Sequence, residues 1–394
     1  MAISPESFYK KILVACNVGI DEAFGKYTLL QTIAYISLIA GILCFQKRPD
    51  EHHMVLPNGN YQYKNIKHLA LTLFATGMAG YAYTLYNIGG IVYLLTHLQD
   101  RVALQAGQSA LMLMQLAPVG CIMLLVAYGL EKKKLLFVLF LICFICLAFA
   151  YSAFGARKNT IVLIITCIVA VHYVIKRLQF NFLTVTSFTV LFLIIGIYVV
   201  AIPIVRGDLK KEAASNSVRV FVYHSSYTFI DIFAANYFNS ERAWKMQGYF
   251  SPAGNVFSTK PKDSLPQTDQ GVYFKSIVMR NKDYRPPLPR ACLIKTSWPT
   301  ENFGFAYANF LLPGLIICFF LQGMVFTFLY RLLSKDYYNP ALLCLYVIAI
   351  LTFNFSSLRI ATFLRILPFL YLSYVLFNLF GRGKGLLESL KIKL

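Results

Sequence analysis

The sequence predicts an all-α polytopic membrane protein with about nine to eleven transmembrane helices and one large extracytoplasmic loop. Hydrophobic residues make up 58% of the 394 residues, and the mean hydropathy is +0.59. Charged residues make up only 14%, compared with roughly 25% in soluble domains. The apolar residues are gathered in long runs, which a bilayer can solvate and water cannot.

Nine of these runs approach the length of about 20 residues that a transmembrane helix needs. A weaker segment from Phe8 to Phe24 precedes them, and Asp21 and Glu22 interrupt its apolar stretch. We interpret this segment as an interfacial helix or as the remnant of a further span. The nine runs lie at 27–45, 69–87, 108–129, 135–153, 160–176, 182–203, 310–330, 340–356 and 361–379.

The runs divide the chain into three regions. An N-terminal transmembrane region covers residues 1–203, the large loop covers 204–309, and a C-terminal transmembrane region with a basic tail covers 310–394. Within the loop, apolar residues at helical spacing predict an amphipathic surface helix from Ser215 to Tyr237. The middle of the loop, 250–295, is rich in proline, glycine and lysine, and we expect it to be irregular.

Lysine and arginine are concentrated in every second connection between the runs. Positively charged connections face the cytoplasm, so we expect a cytoplasmic C-terminus and a large loop on the outer, periplasmic side. This distribution accounts for the net charge of +20 without a nucleic-acid partner. The basic connections are 46–68, 130–134, 177–181, 331–339 and the tail 380–394.

Ionisable side chains are rare within the runs. No Asp or Glu lies inside any run, whereas Arg365 lies about one turn inside the last run and His172 lies in the fifth. Proton- and sodium-coupled transporters usually need intramembrane carboxylates. The sequence therefore argues against a coupled transporter.

Four arginines stand at the predicted outer ends of the spans, against the general distribution of positive charge. A guanidinium binds phosphate with two hydrogen bonds and stays charged when partly buried. We interpret these arginines as a site for an anionic ligand such as a lipid-linked diphosphate, with contact to anionic lipid headgroups as the alternative. The four arginines at the span ends are Arg157, Arg206, Arg359 and Arg365. Arg219 and Arg290 of the loop are further candidates for binding the anion.

Three residues of the loop are candidates for a general base. Glu301 stands just before the seventh run, where it could accept a proton from a sugar hydroxyl or cap the helix. Asp231 and His224 are seven residues apart, which places them on one face of the predicted surface helix. His224 could equally be an interfacial hydrogen-bonding residue. No metal-ligand spacing is found in the sequence, and no cofactor is predicted.

Three motifs resemble those of one bacterial family. Phe154-Gly155-Ala156-Arg157 opens the fifth run, and Phe257-Ser-Thr-Lys-Pro261 is followed by Asp269-Gln-Gly271. Ser297-Trp-Pro-Thr-Glu301 leads through Gly304, Tyr307 and Asn309 into Leu312-Pro-Gly314. These motifs are similar to those of the bacterial O-antigen and capsule repeat-unit polymerases of the Wzy type, although Ala156 replaces the usual serine.

The resemblance implies a membrane-embedded, GT-C-like glycosyltransferase that needs neither metal nor nucleotide. It would transfer a growing glycan from undecaprenyl diphosphate to the non-reducing end of a new lipid-linked repeat unit, in lipopolysaccharide or capsule biosynthesis at the bacterial inner membrane. The arginines would stabilise the leaving diphosphate. A chain-length regulator and a flippase are the implied protein partners. The aromatic residues that would pack against sugars, or else anchor the loop at the interface, are Tyr223, Tyr227, Trp298 and Tyr307.

Two other functions remain open from the sequence. An O-antigen ligase, which transfers polymer to the lipid A core, would share the fold and the arginines. A polysaccharide-intermediate flippase or transporter predicts internal repeats or polar residues within the spans; the sequence has no internal repeat, and the charged or histidine side chains within the runs are limited to His172, Lys176 and Arg365.

Overall fold

The computed structural model describes residues 5–46, 65–97, 104, 108–154, 157–179, 181–205, 228–248, 266–267, 269–294, 297–298, 300 and 302–381. This part of the chain is helical and contains no β-strand, which confirms the predicted all-α class. The helices are α1 (Pro5–Cys16), α2 (Ile20–Phe45), α3 (Ile66–Ile88), α4 (Gly90–Thr96), α5 (Leu116–Glu131), α6 (Lys134–Ala153), α7 (Arg157–Ala170), α8 (Phe182–Val205), α9 (Thr228–Tyr237), α10 (Gln270–Arg280), α11 (Asn302–Lys335), α12 (Pro340–Thr352) and α13 (Ser357–Leu376).

Shorter turns extend several of these helices. A 3₁₀ turn at Ser109–Gln115 leads into α5, and π-helical turns at Val171–Ile175 and Phe377–Gly381 continue α7 and α13. Each of the nine apolar runs overlaps a helix, and six helices of the described chain are long and apolar enough to cross a membrane. The protein is therefore a multi-pass membrane protein. The six are Ile20–Phe45, Ala110–Glu131, Lys134–Ala153, Lys158–Ile175, Asn302–Lys335 and Arg359–Phe380.

The remaining three runs overlap α8, α12 and α3. α8 is apolar over its 24 residues, and α12 has 13 residues. The third is α3, which has 23 residues and is not among the six. The count of nine spans and the orientation of the chain stay predictions.

The N-terminal segment divides into two helices at Asn17, whose φ is 55°. α2 begins at Ile20, so Asp21 and Glu22 lie in its first turn rather than interrupting a span. Carboxylates are stabilised there because the amino end of a helix carries partial positive charge. The first long helix therefore begins seven residues earlier than the apolar run does.

The chain folds as two units. The second unit comprises Asp50–Ser217, Leu329–Leu351 and Leu364–Leu394. Its centre is α5, whose residues Leu116 to Ala127 are almost all buried. α3 packs closely on α5 because glycines stand at the crossing: a Cβ on Gly120 would lie 2.6 Å from the carbonyl oxygen of Ala70. Small residues at a helix crossing allow such close approach in membrane proteins.

The first unit comprises Met1–Pro49, Val218–Phe328 and Thr352–Phe363. Its core is aromatic. Trp244 is 1% exposed and packs edge-to-face on Phe238, with ring centroids 5.2 Å apart. α9 and α10 supply further buried rings, including Phe233 and Phe274, whose centroids are 5.6 Å apart. Part of the loop 204–309 therefore contributes to a buried core despite its polar composition.

The helix α10 corrects the prediction that the middle of the loop is irregular. Asp269 caps its amino end by accepting a hydrogen bond from the backbone N–H of Gly271 at 3.0 Å. Val272, Ile277 and the residues between them bury an apolar face. The prolines and glycines of the surrounding segment dominate its composition, and they conceal these eleven helical residues.

The helix α11 begins at Asn302, eight residues before the seventh apolar run, and consists of two helical segments that meet at a bend at the non-helical residue Leu311 (φ 57°, ψ −142°). The part before the bend is buried in the first unit, and Asn302 and Asn309 are 4% and 1% exposed. Hydropathy alone missed this part because its buried residues include two asparagines.

Candidate functional site

Amide hydrogen bonds fix the turn that precedes α13. Asn302 Nδ2 donates to Gln322 Oε1 at 2.8 Å, and Asn302 Oδ1 accepts from the backbone N–H of Phe355 at 3.2 Å. Gln322 Nε2 donates to the carbonyl oxygen of Phe353 at 3.0 Å. These bonds attach residues 353–356 to α11. Asn302 and Gln322 lie on opposite sides of Leu311, so the bond between them also ties the two parts of α11 together.

Arg359 lies in the first turn of α13. Ser356 Oγ accepts a hydrogen bond from the backbone N–H of Arg359 at 3.4 Å, and Asn354 Oδ1 accepts from the backbone N–H of Ser356 at 3.0 Å. Ser356 is thus the cap of the helix. A positive side chain is unfavourable at this end of a helix, where the dipole is also positive. The position of Arg359 therefore favours an anionic partner.

Asp269 provides one such negative charge in the same unit. Burial raises the pKa of this carboxyl above its ordinary value. Hydrogen bonds from Ser297 and from the backbone N–H of Gly271 oppose this rise, and so do the positive charges of Arg359 and Arg290. Asp269 therefore interacts electrostatically with two of the predicted arginines, and we refer to these three residues as the electrostatic cluster. The sequence does not single out Asp269 as a site residue.

Asp231, on α9, lies beside the beginning of α11. A Cβ on Gly304 would lie 3.3 Å from Asp231 Oδ1 and 3.0 Å from the ring of Phe274. Glycine is therefore the residue that lets the carboxylate approach the helix. Two residues away on α9, Phe229 packs edge-to-face on Trp298, with centroids 5.7 Å apart. This packing holds α9 against the segment that leads into α11.

Comparison with known proteins identifies the family. The sequence model of the family described as "Putative O-antigen polymerase" matches residues 12–239, more than half of the chain. The chain belongs to this family. An O-antigen polymerase is an enzyme of the glycosyltransferase type, which acts in a membrane on a lipid-linked oligosaccharide. No curated protein and no solved structure matched the chain.

The region that matches the O-antigen polymerases contains only part of the site. Arg157 and Asp231 lie inside the matched residues, whereas Asp269, Arg290 and Arg359 follow residue 239. The family match therefore does not extend to these three residues.

The structure places the other predicted site residues as follows. Arg157 is the first residue of α7, Arg365 is exposed on α13, and Arg290 is exposed in a 3₁₀ turn, Arg290–Cys292. Tyr307 is buried and stacks on Phe303, with centroids 6.1 Å apart. The roles of the residues outside the described chain stay predictions: Glu301, His224, Arg206, Arg219, Tyr223 and Tyr227.

Two buried amides form a polar group that the sequence did not reveal as a site. Gln270 and Asn309 are 4% and 1% exposed, and in the described chain Gln270 Nε2 and Oε1 and Asn309 Oδ1 have no hydrogen-bond partner. A Cβ on Gly248 would lie 2.7 Å from Gln270 Nε2 and 3.1 Å from Asn309 Oδ1. Leaving such groups unsatisfied costs roughly 1–3 kcal/mol each, which favours a polar occupant, either water or a ligand hydroxyl.

Proposed function

We propose that this O-antigen polymerase transfers a growing glycan from undecaprenyl diphosphate to the non-reducing end of a new lipid-linked repeat unit. The cluster of Arg359, Arg290 and Asp269 carries the proposal. A lipid diphosphate is an anion that stays at the membrane, and Arg359 begins a helix that is apolar enough to cross it. The arginines have the donor geometry that a diphosphate requires.

In the proposed reaction, a hydroxyl of the acceptor glycan attacks the anomeric carbon of the donor. A bond forms between that oxygen and that carbon while the bond to the diphosphate oxygen breaks, and the diphosphate leaves with the electron pair. The hydroxyl proton passes to a general base. Arg359 and Arg290 stabilise the charge that develops on the leaving group. The donor carries its own activated leaving group, so the step uses neither metal nor nucleotide.

Asp231 is the general base that the described surroundings support best. Its carboxylate is partly buried beside Gly304, where the loop ends and α11 begins. An acceptor that approaches the membrane surface at this point would bring its hydroxyl to the carboxylate. Glu301 and His224 are the alternative bases.

The two buried amides support a hydrogen-bonding contact with the glycan. Gln270 and Asn309 present donors and acceptors beside Gly248, which suits a sugar hydroxyl or an acetamido group. Trp298, with Tyr223 and Tyr227, would supply flat apolar surfaces for sugar rings.

The proposed location is the inner membrane of a bacterium, with the loop 204–309 in the periplasm and the C-terminus in the cytoplasm. The product is O-antigen or capsular polysaccharide. A chain-length regulator and a flippase would act in the same pathway.

Deletion of the gene, followed by gel analysis of the lipopolysaccharide or capsule, tests the proposed function. We expect core with a single repeat unit, and a ladder restored by the wild-type gene. Core without any repeat unit would instead indicate a ligase. Lipid-linked repeat units that accumulate on the cytoplasmic side would indicate a flippase, and an unchanged ladder would contradict all three functions.

A further inference from the structure

The helices α5 to α8 of the second unit surround a cavity of about 550 Å³. Its walls are apolar and include Phe137 and Phe140 of α6, Val171 of the π-helical turn, and Phe188 and Leu191 of α8. Cavities of roughly 300–1,000 Å³ are typical of sites for small molecules. None of the lining residues belongs to the candidate site described above.

One end of this cavity is polar and positively charged. It is lined by Lys176, Arg177, Gln179 and Asn181, which follow the π-helical turn. Lys176 and Arg177 are exposed. Among the described residues, neither cation is within ion-pair distance of a carboxylate. The cavity therefore combines apolar walls with two positive charges that no carboxylate of the described residues pairs with.

The carboxyl end of α5 adds further positive charge beside the π-helical turn. A Cβ on Gly129 would lie 2.6 Å from Val174 Cγ1, so α5 and the turn are in close contact. Three residues later the chain reads Lys132-Lys133-Lys134, and only Lys133 pairs with a carboxylate in the described chain, that of Glu131 at 2.7 Å. This end of the unit is therefore strongly basic.

The π-helical turn itself shapes the charged end. The ring of His172 accepts a hydrogen bond from the backbone N–H of Leu178 at 3.1 Å, which folds the chain back after the turn. Lys176 and Arg177 lie inside this closed segment. π-Helical turns are rare and frequently occur at functional sites.

We propose that the cavity binds an anionic membrane phospholipid, with an acyl chain between α6 and α8 and the phosphate on Lys176 and Arg177. The apolar walls suit the chain, and the two cations suit the headgroup. Basic pockets between membrane helices bind anionic headgroups by the same combination of charge and apolar surface. The two cations should therefore bind phosphatidylglycerol, which has a net negative charge, more tightly than phosphatidylethanolamine, which is zwitterionic.

Native mass spectrometry of the purified full-length protein tests this proposal. The protein is stripped of lipid in detergent and titrated with phosphatidylglycerol or phosphatidylethanolamine. The double variant Lys176→Gln, Arg177→Gln should bind phosphatidylglycerol about 25-fold more weakly, since each cation near a membrane surface contributes about a factor of five. Lys10→Gln, Lys11→Gln is the matched control, because both lysines are exposed on α1, and its binding should be unchanged.

A second pair of variants tests the apolar walls. Leu191→Trp should fill the cavity and lower the amount of bound phosphatidylglycerol, whereas Leu193→Trp, at a position that is 62% exposed on the same helix, should not. Thermal unfolding checks that both variants are folded. Wild-type binding by the double lysine–arginine variant would overturn the proposal. Equal binding of the two phospholipids, or preferential binding of undecaprenyl phosphate, would also overturn it.

Discussion

Replacement of Arg359 by glutamine should slow polymerisation by about 100-fold. Removal of one fixed donor to a developing anion costs roughly 10²–10³ in rate. Arg359 is partly exposed and shares its charge with Asp269. Solvent screens the interaction, so we expect the lower end of that range. A factor of 100 corresponds to about 2.7 kcal/mol of transition-state stabilisation.

The same substitution should change the folding stability by less than about 1 kcal/mol. It removes an unfavourable positive charge from the amino end of α13, but it also removes a cation that stabilises the carboxylate of Asp269. The two effects have opposite signs. The helix cap is retained, because Ser356 accepts from the backbone N–H of residue 359 rather than from its side chain.

The assay is the initial rate of polymerisation by purified protein in proteoliposomes, with a lipid-linked repeat unit as substrate and gel analysis of product length. Arg285→Gln is the matched control, because Arg285 pairs with Asp283 at 2.9 Å in an exposed part of the same unit. A wild-type rate for Arg359→Gln, at a normal level in the membrane, would refute the assigned role. Equal loss in both variants would show a general charge effect instead.

Three further predictions concern the surroundings of this cluster. Asp269→Asn should unfold at a higher temperature than wild type at pH 7, with a difference that shrinks as the pH falls toward 3.8, the ordinary pKa. Burial raises the pKa of Asp269, so the wild-type protein loses stability as its carboxyl ionises; a constant difference in thermal melts would contradict this. Gly304→Ala should destabilise the protein by about 1–3 kcal/mol, because its Cβ would lie 3.0 Å from the ring of Phe274. Gly25→Ala is the control, because no atom lies within 4 Å of the Cβ that it would add. Its melting temperature should not fall below that of wild type. Asp231→Asn should lower the polymerisation rate by roughly 10²–10⁴ without weakening binding of the donor lipid, and an unchanged rate would eliminate this base.

Apolar run length predicted the helices that lie within the membrane region, because hydropathy reports the bilayer directly. It failed where folding depends on burial against protein. The first part of α11 is buried although it contains Asn302 and Asn309. The helix α10 was missed because its cap, Asp269, and its short apolar face lie within a segment of loop-like composition.

The roles of the candidate site residues stay predictions. Arg359 and Arg290 were expected to bind an anion, and the structure connects both electrostatically with Asp269. That carboxylate lies ninety residues from Arg359 in the chain, so no local pattern could reveal the pairing. Gln270 and Asn309 occur in the motifs that resemble the family, but their shared burial beside Gly248 depends on tertiary structure.

The amide contacts of Asn302 have a consequence for how such enzymes can diversify. Two residues after Asn302 on α11, Gly304 lies against Asp231, and the turn that Asn302 holds leads directly into Arg359. The proposed proton acceptor, Asp231, and the proposed leaving-group cation, Arg359, are thus positioned from a single anchor. If the rest of the loop binds the glycan as proposed, substitutions there would change which sugars are recognised without altering the spacing between these two groups. Reaction chemistry and substrate choice can therefore evolve on separate parts of the same chain.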